Sequence, residues 1–256
     1  MSNISTKGSG AQCAVIVGAG GTLGGAVARK VLERGLHVVA VGRDASKFAE
    51  LATRDDVTPC VADVTEDAAI GAIAAKIDRP VRMAFMGAGL PVRGSARTVE
   101  PGAVAVAMNV KLGGMLRLLR ATEEHFEKGS RIVALSGYLG AEPNGDELGP
   151  GIVNAALHNL MRQLSYIYGP DGVTVHTVSP GPVDSDRLRR IAETRAAESG
   201  QTAESFLDGF RSGSPLGTLI DVGQVAWAVD LLLDREASAL HGSTLALDGG
   251  RLHGVF

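Results

Sequence analysis

The chain has only two cysteines among its 256 residues, few aromatic residues and no large excess of charge of either sign. Cys13 and Cys60 lie inside apolar runs, and no Cys/His cluster has metal-ligand spacing, so neither a disulfide nor a metal site is expected. Buried, reduced thiols are instead typical of a cytoplasmic protein. The net charge is −3 and no basic run occurs, which argues against nucleic-acid binding.

Long apolar runs are also missing from the sequence. No run of about 20 consecutive apolar residues occurs, so we expect no membrane-spanning helix. Hydrophobic residues nevertheless make up 45% of the chain, which is enough for the core of one large α/β domain. Residues 1–10 are rich in serine and glycine and predict a disordered tail. Residues 11–256 show no break in composition, so a single domain is predicted there.

Short apolar runs alternate with amphipathic segments along the chain, which predicts a doubly wound Rossmann domain with a mainly parallel seven-stranded sheet flanked by helices. Strands are predicted at residues 13–17, 37–41, 58–61, 83–86, 132–135, 174–178 and 244–247. Helices are predicted at residues 23–34, 104–126, 152–168 and 222–233. The charged, helix-patterned segment 184–211 interrupts this alternation, and we predict that it is a flap over a substrate.

A glycine-rich turn follows the first predicted strand and begins the first predicted helix. Glycines permit a tight turn and let a diphosphate approach the backbone, and the helix N-terminus offers free N–H groups. Thr22 in this turn either caps the helix or contacts a phosphate through its hydroxyl. The predicted cofactor-binding residues of the turn are Gly18, Gly20, Gly21, Thr22, Leu23 and Gly24.

The end of the second predicted strand bears on which nicotinamide cofactor is bound. An acid at position 42 would bind the ribose hydroxyls of NAD, but the residue there is Gly42. Arg43 can instead bind the 2′-phosphate of NADP through charge-assisted hydrogen bonds. We therefore favour NADP(H) over NAD(H). The alternatives are that Arg43 is a solvated loop charge, or that Asp44 pairs with it.

The glycine-rich turn resembles the Gly-x-x-x-Gly-x-Gly loop of short-chain dehydrogenases/reductases, with Thr22 in the middle glycine position. The resemblance extends over residues 12–250 and ends with the family-like Leu247-Asp248-Gly249-Gly250. It implies an NADP(H)-dependent oxidoreductase that acts on a small carbonyl compound or alcohol. It also implies a homodimer or homotetramer built on helices 104–126 and 152–168. Further cofactor contacts implied by the resemblance are Asp63, Val64, Ala88, Gly89, Asn154, Pro180, Gly181 and Val183.

The catalytic residues implied by the resemblance are largely replaced in this chain. The family uses a Ser, then a Tyr and a Lys spaced four residues apart on one helix face. Gly137, Pro150 and Asn154 stand at these three positions. Asn109 matches the family asparagine that holds a water in the proton relay. Pro150 has no proton to give and suits the first turn of a helix.

Other groups are candidates for the missing proton transfer. Tyr138 follows the empty Ser position and is our candidate acid, with a packing role as its alternative. Ser136 is a candidate carbonyl donor, and Asn154 can still bind ribose hydroxyls. We interpret His158 as a satisfied core or interface histidine rather than a catalytic one.

Three functions remain open from the sequence. The first is an atypical oxidoreductase that uses Tyr138 or water as acid. The second is a nicotinamide-binding sensor or regulator without turnover, and the third is a non-redox enzyme on the same scaffold. The charges of Arg187, Arg189, Arg190 and Glu193 in segment 184–211 hint at a polar or acidic ligand, although helix solubility explains them equally well.

Overall fold

Seven parallel strands form one sheet in the computed structural model, which describes residues 11–90 and 92–254. Their spatial order is β3-β2-β1-β4-β5-β6-β7, so the crossover direction reverses between β1 and β4. The predicted disordered tail, residues 1–10, lies outside the described residues. The strands are Cys13–Val17 (β1), His37–Gly42 (β2), Val57–Val61 (β3), Val81–Met86 (β4), Phe126–Leu135 (β5), Thr174–Pro180 (β6) and Thr244–Leu247 (β7).

Helices cover both faces of this sheet, because strands buried on both sides need apolar cover on each. Ile16 of β1 packs into a core with the first and last helices, whereas its neighbour Val15 faces the opposite core. The helices are Thr22–Glu33 (α1), Ala68–Ala74 (α2), Pro101–Met108 (α3), Gly114–Thr122 (α4), Leu148–Tyr168 (α5), Asp186–Ser199 (α6), Ala203–Ser212 (α7) and Val222–Leu231 (α8). The single Rossmann-type α/β domain predicted from the sequence is confirmed, and its sheet is parallel throughout.

The longest predicted helix, residues 104–126, is not regular. A π-helical turn, Asn109–Gly113, separates α3 from α4. The chain leaves the helix before position 126, because Phe126 begins β5 and packs edge-on against Tyr168 with ring centroids 6.0 Å apart. A π turn shifts the register of side chains around the helix, so the residues within it face directions that a 3.6-residue period does not predict.

The helical segment Pro101–His125 is long and apolar enough to cross a membrane by length and composition alone. This differs from the expectation that the chain holds no such segment. The segment packs on the sheet through Met115, Leu118 and Leu119, which are buried in the core shared with α2 and α5. We therefore assign it to the folded domain as a core helix with one uncovered face.

Cys13 and Cys60 are buried and free, as predicted. Burial raises the pKa of the Cys13 thiol to about 12 and also raises the pKa of Cys60. Both thiols are therefore protonated and unreactive at neutral pH. The cytoplasmic location of the protein stays a prediction.

Candidate active site

A cleft of about 520 Å³ opens at the carboxyl ends of β1, β4, β5 and β6. Ligands of open α/β sheets bind at this edge, where the strand order reverses. Of the predicted site residues, thirteen line the cleft: Gly20, Gly21, Thr22, Leu23, Gly24, Ala88, Gly89, Ser136, Tyr138, Asn154, Pro180, Gly181 and Val183. Helices α6 and α7, which form from the predicted flap segment, border the cleft through Leu188, Ile191 and Phe210.

The glycine-rich turn at the start of α1 has no room for side chains. Gly18 has a φ of +87°, a left-handed value that favours glycine. A Cβ on Gly24 would overlap the carbonyl oxygen of Gly18. Gly21 precedes α1 and supplies no side-chain cap, and Thr22 is exposed. The N–H groups of the first turn therefore face the cleft uncapped, which fits the diphosphate of a dinucleotide.

The end of β2 leaves too little space for an acidic side chain at position 42. A Cβ on Gly42 would lie 2.9 Å from Cε1 of the buried Phe48. The Arg43 side chain is 78% exposed, and its guanidinium lies 4.0 Å from an Asp63 carboxylate oxygen. Asp44 does not pair with Arg43, because its carboxylate accepts hydrogen bonds from the amide and hydroxyl of Ser46. A phosphate can therefore reach Arg43 from solvent.

Five predicted site residues do not line the cleft: Gly18, Arg43, Asp63, Val64 and Asn109. Asp63 accepts hydrogen bonds from Thr65 through one carboxylate oxygen, and Val64 is buried. The side-chain amide of Asn109 donates to the Thr65 carbonyl at 3.0 Å and accepts from Arg117 at 2.8 Å. The roles assigned to these residues through the family resemblance stay predictions.

Gly137, Pro150 and Asn154 come together in the cleft, as their matched positions imply. A Cβ on Gly137 would lie 2.9 Å from Nδ2 of Asn154. Pro150 lies in the first turn of α5, where it lacks no hydrogen bond. The Oδ1 atom of Asn154 is buried and has no hydrogen-bond partner among the described residues. An unsatisfied buried acceptor at a cleft wall fits a ligand hydroxyl.

Ser136 and His158 form a pair behind this wall. The Ser136 hydroxyl lies 2.7 Å from Nε2 of His158, and its backbone amide donates to the Val178 carbonyl. Burial and the nearby Lys111 lower the pKa of His158, so its imidazole is neutral at pH 7. Ser136 lines the cleft, but His158 does not. His158 is thus a satisfied histidine, and it orients the Ser136 hydroxyl.

Lys111 is the cleft residue that the sequence analysis missed. It is 4% exposed, and its ammonium donates a hydrogen bond to the Leu135 carbonyl at the end of β5. Among the described residues, no carboxylate pairs with it. Burial, with a smaller effect of Arg187, lowers its pKa to about 7. The available signal was a lone cation, two residues after Asn109, within an otherwise apolar helical segment.

Tyr138 lies in a short 3₁₀ turn beyond β5 and lines the cleft. The guanidinium of Arg251 stacks 5.2 Å from the centre of its ring. Burial raises the pKa of the Tyr138 hydroxyl, and no described residue forms a hydrogen bond with that hydroxyl. The side chain is therefore a protonated phenol, held in place through its ring rather than its oxygen.

Arginines dominate the end of the cleft that lies beneath α6. Arg93 and Arg195 both donate to one oxygen of the buried Glu147, and the Arg93 contact is 3.1 Å. The second Glu147 oxygen is buried and has no hydrogen-bond partner within the described part of the chain. Arg187 of α6 donates to the Leu90 carbonyl at 2.7 Å, which joins the flap segment to the loop after β4. Burial and the neighbouring arginines lower the pKa values of Arg93 and Arg187.

Comparison with known proteins gives consistent results. A family model described as enoyl-(acyl carrier protein) reductase matches residues 18–251. The 3-oxoacyl-acyl-carrier-protein reductase FabG of Rickettsia conorii is 28% identical over 247 residues, covering 94% of this chain and 97% of that protein.

Solved structures have the same fold at lower identity. L-sorbose reductase of Gluconobacter frateurii, complexed with NADPH and L-sorbose, superimposes with a TM-score of 0.88 at 18% identity over 98% of this chain and all of that one. An NADPH-bound short-chain oxidoreductase of Pseudomonas aeruginosa with an atypical catalytic centre has a TM-score of 0.84 at 22% identity, covering 95% and 98% of the two chains.

Proposed function

The chain belongs to the short-chain dehydrogenase/reductase family, and we propose that it is an NADP(H)-dependent oxidoreductase that works without the family's Ser, Tyr and Lys. The observation that carries this proposal is the cofactor cradle. An uncapped helix N-terminus and a side-chain-free glycine turn lie at the sheet edge where dinucleotides bind. NADPH-bound relatives of the same fold support this choice of cofactor.

The preference for NADP(H) rests on the end of β2. Phe48 fills the space that an acidic side chain at position 42 would need, and Arg43 is open to solvent. Arg43 binds the 2′-phosphate, while Asn154 binds a ribose hydroxyl through its unpaired Oδ1. Bound NADPH would supply a hydride, and the protein must then supply a proton and hold the carbonyl.

Lys111 supplies that proton. Its ammonium group is bonded to the Leu135 carbonyl, two residues before Gly137, and Lys111 lines the same cleft as Gly137 and Pro150. It donates a proton to the carbonyl oxygen, becomes a neutral amine and regains a proton from water. An acid is most effective when its pKa is near the working pH, and the lowered pKa of Lys111 meets this condition. Tyr138, whose pKa is raised, is the weaker acid of the two.

The Ser136 hydroxyl takes the part of the missing carbonyl donor. The hydroxyl lies 2.7 Å from Nε2 of His158, and Ser136 lines the cleft. A hydroxyl can donate one hydrogen bond and accept two. When the neutral His158 donates to it, the Ser136 proton is available for a substrate oxygen.

A homo-oligomer is part of this proposal. Val106 of α3, Leu116 of α4 and Ile152 of α5 are 54%, 40% and 44% exposed, although each is a large apolar side chain. Exposed apolar residues on adjacent helices are typical of a contact between identical subunits. A dimer through this face would also cover the open side of the segment Pro101–His125.

Fluorescence titration with NADPH and NADH tests the function first. We expect saturable binding that favours NADPH, followed by NADPH oxidation when small carbonyl compounds are added. NADPH binding without turnover of any carbonyl would favour the sensor or regulator instead. If neither nucleotide binds, the proposed oxidoreductase is wrong.

A further inference from the structure

The cleft carries much of its positive charge away from the glycine turn. Six cationic side chains line it against two acidic ones, Asp146 and Glu147, within a chain whose net charge is −3. The cationic residues are Lys47, Arg93, Lys111, Arg187, Arg190 and Arg195. Lys47 packs against the glycine turn, where a Cβ on Gly20 would lie 2.8 Å from its own Cβ. The other five line the remainder of the cleft.

Arg187 connects two sides of the cleft outside the glycine turn. It extends from the first turn of α6 and lies against the backbone of Gly89 and Leu90 after β4. A Cβ on Gly89 would lie 2.5 Å from Nη1 of Arg187, so the guanidinium approaches the backbone closely at this glycine. One carbonyl bond is its only hydrogen bond among the described residues, and a guanidinium has five N–H groups. Its remaining donors are free for a ligand.

The surrounding charges do not neutralise Arg187. Glu147 already serves both Arg93 and Arg195 through one oxygen. Desolvation is the largest cause that lowers the pKa of Arg187, followed by repulsion from Arg93 and Arg190, and Glu147 only partly offsets both. Arg187 and Arg190 are exposed to solvent, and neighbouring cations that lack matching carboxylates concentrate anionic ligands at such a site.

We propose that this arginine cluster, Arg93, Arg187 and Arg190, binds an oxyanion group, a carboxylate or a phosphate, on the substrate of the proposed reductase. A guanidinium binds either group in a bidentate manner. One part of this proposal rests on the proposed function, namely that the bound anion belongs to a substrate whose carbonyl is reduced beside Lys111. Arg187 is bonded to the Leu90 carbonyl after β4, and Lys111 is bonded to the Leu135 carbonyl at the end of the neighbouring β5. Both line the cleft, so a substrate anion on Arg187 would share the cleft with the proton donor. Its substrates are thus small oxo acids or phosphorylated carbonyl compounds.

Anion binding in the presence of saturating NADP⁺ tests the proposal, because the oxidised cofactor then occupies its own phosphate cradle and supplies no hydride that would reduce the oxo-acid probes during the titration. Isothermal titration calorimetry at constant ionic strength uses malonate, inorganic phosphate, 2-oxobutanoate and methyl 2-oxobutanoate as probes. We expect saturable binding of at least one anion. The neutral ester should bind at least about tenfold more weakly than 2-oxobutanoate. Comparison of malonate with phosphate decides between a carboxylate and a phosphate ligand.

Substitution assigns the anion to this cluster. Arg187→Gln should weaken binding of the preferred anion at least about tenfold, and Arg93→Gln should weaken it as well. Arg189→Gln is the matched control, since Arg189 lies on the same helix, is bonded to Asp184 and does not line the cleft. Unchanged anion affinity in Arg187→Gln, or no saturable binding of any anion by the unaltered protein, overturns the proposal.

The two proposals fail separately. The Kd for NADPH should be unchanged in Arg187→Gln, because Arg187 lies outside the glycine turn. Retained NADPH binding without anion binding contradicts only the arginine cluster. A different result is that the unaltered protein binds an anion but no nucleotide, and loses the anion in Arg187→Gln. That result contradicts only the proposed reductase. The thermal midpoint of each variant shows whether it is folded.

Discussion

Gly137 and Asn154 share one space at the wall of the cleft: a Cβ on Gly137 would lie 2.9 Å from Nδ2 of Asn154. We predict from the family resemblance that these two residues stand at the Ser and Lys positions, and their contact means that each limits what the other can be. A serine at position 137 requires the Asn154 side chain to move. The replacements are thus a packed set, in which the loss of one family residue accommodates the loss of another.

This packing predicts that the family chemistry returns only when the set is restored together. Gly137→Ser alone should lower the thermal midpoint, because it displaces Asn154. In a Lys111→Met background, which lacks the proposed acid, the triple variant Gly137→Ser, Pro150→Tyr, Asn154→Lys should raise the rate of carbonyl reduction by about 10² to 10⁴, the usual contribution of general acid catalysis. NADPH oxidation by the variants measures this. A triple variant that binds NADPH but gains no activity would contradict the matching of these positions.

Lys111→Met should give a more stable and less active protein. Burial disfavours the ammonium and lowers the pKa of Lys111 to about 7 from 10.5. Between these values the unfolded chain binds more protons than the folded one, so the stability of the unaltered protein rises with pH in this window. The gain on substitution is therefore largest below pH 7, about 1 to 4 kcal/mol in the free energy of unfolding, and it disappears above about pH 10.5.

Activity provides the second readout for Lys111. Reduction by the unaltered protein should decline above about pH 7, as the acid loses its proton. Lys111→Met should lose most of the activity and this pH dependence together. Lys76→Met, at an exposed position of the loop after α2, is the control and should change neither. Full activity in Lys111→Met, with loss in Tyr138→Phe, would identify Tyr138 as the acid instead.

Arg43→Ala should weaken NADPH binding and leave NADH binding unchanged. Loss of a charge-assisted hydrogen bond to the 2′-phosphate costs about 1.5 to 3 kcal/mol, or about 10- to 100-fold in Kd. Arg54→Ala removes another exposed arginine, one that pairs with Asp56 at 2.7 Å, and serves as the control. If Arg43→Ala weakened the binding of NADPH and NADH equally, Arg43 would not contact the 2′-phosphate.

Two glycine-to-alanine substitutions should have opposite effects. Gly24→Ala drives a methyl group into the Gly18 carbonyl and should abolish nucleotide binding and lower the thermal midpoint. Gly71→Ala places its methyl group in open space within α2 and should stabilise the fold by about 0.5 to 1 kcal/mol. Thermal unfolding with and without NADPH measures both. Nucleotide binding by Gly24→Ala equal to that of the unaltered protein would exclude the glycine turn as the phosphate cradle.

Ile152→Glu should dissociate the proposed oligomer, since it places a charge in the apolar face of α5. Light scattering at micromolar concentration measures the mass of the particle. Ala197→Glu is the control, because it places the same charge at an exposed position of a different helix, α6. A monomer before any substitution, or an unchanged mass in Ile152→Glu, would contradict an interface on this face.

The fold and the cofactor cradle could be predicted from the sequence, because both depend on local patterns. Seven apolar runs and a glycine turn after the first of them predict a parallel sheet with a ligand at its edge. Lys111 was not predictable in this way, since its direction depends on the π turn Asn109–Gly113. The sharing of Glu147 by Arg93 and Arg195 escaped prediction for a similar reason. These residues come from three separate segments that only the tertiary structure brings together.

The bond from Arg187 to the Leu90 carbonyl has a kinetic consequence. This hydrogen bond joins α6 to the loop after β4, and both residues line the cleft. We expect anions to enter and leave this part of the cleft faster when the bond is absent, and stopped-flow association and dissociation rates of Arg187→Gln against Arg189→Gln measure this.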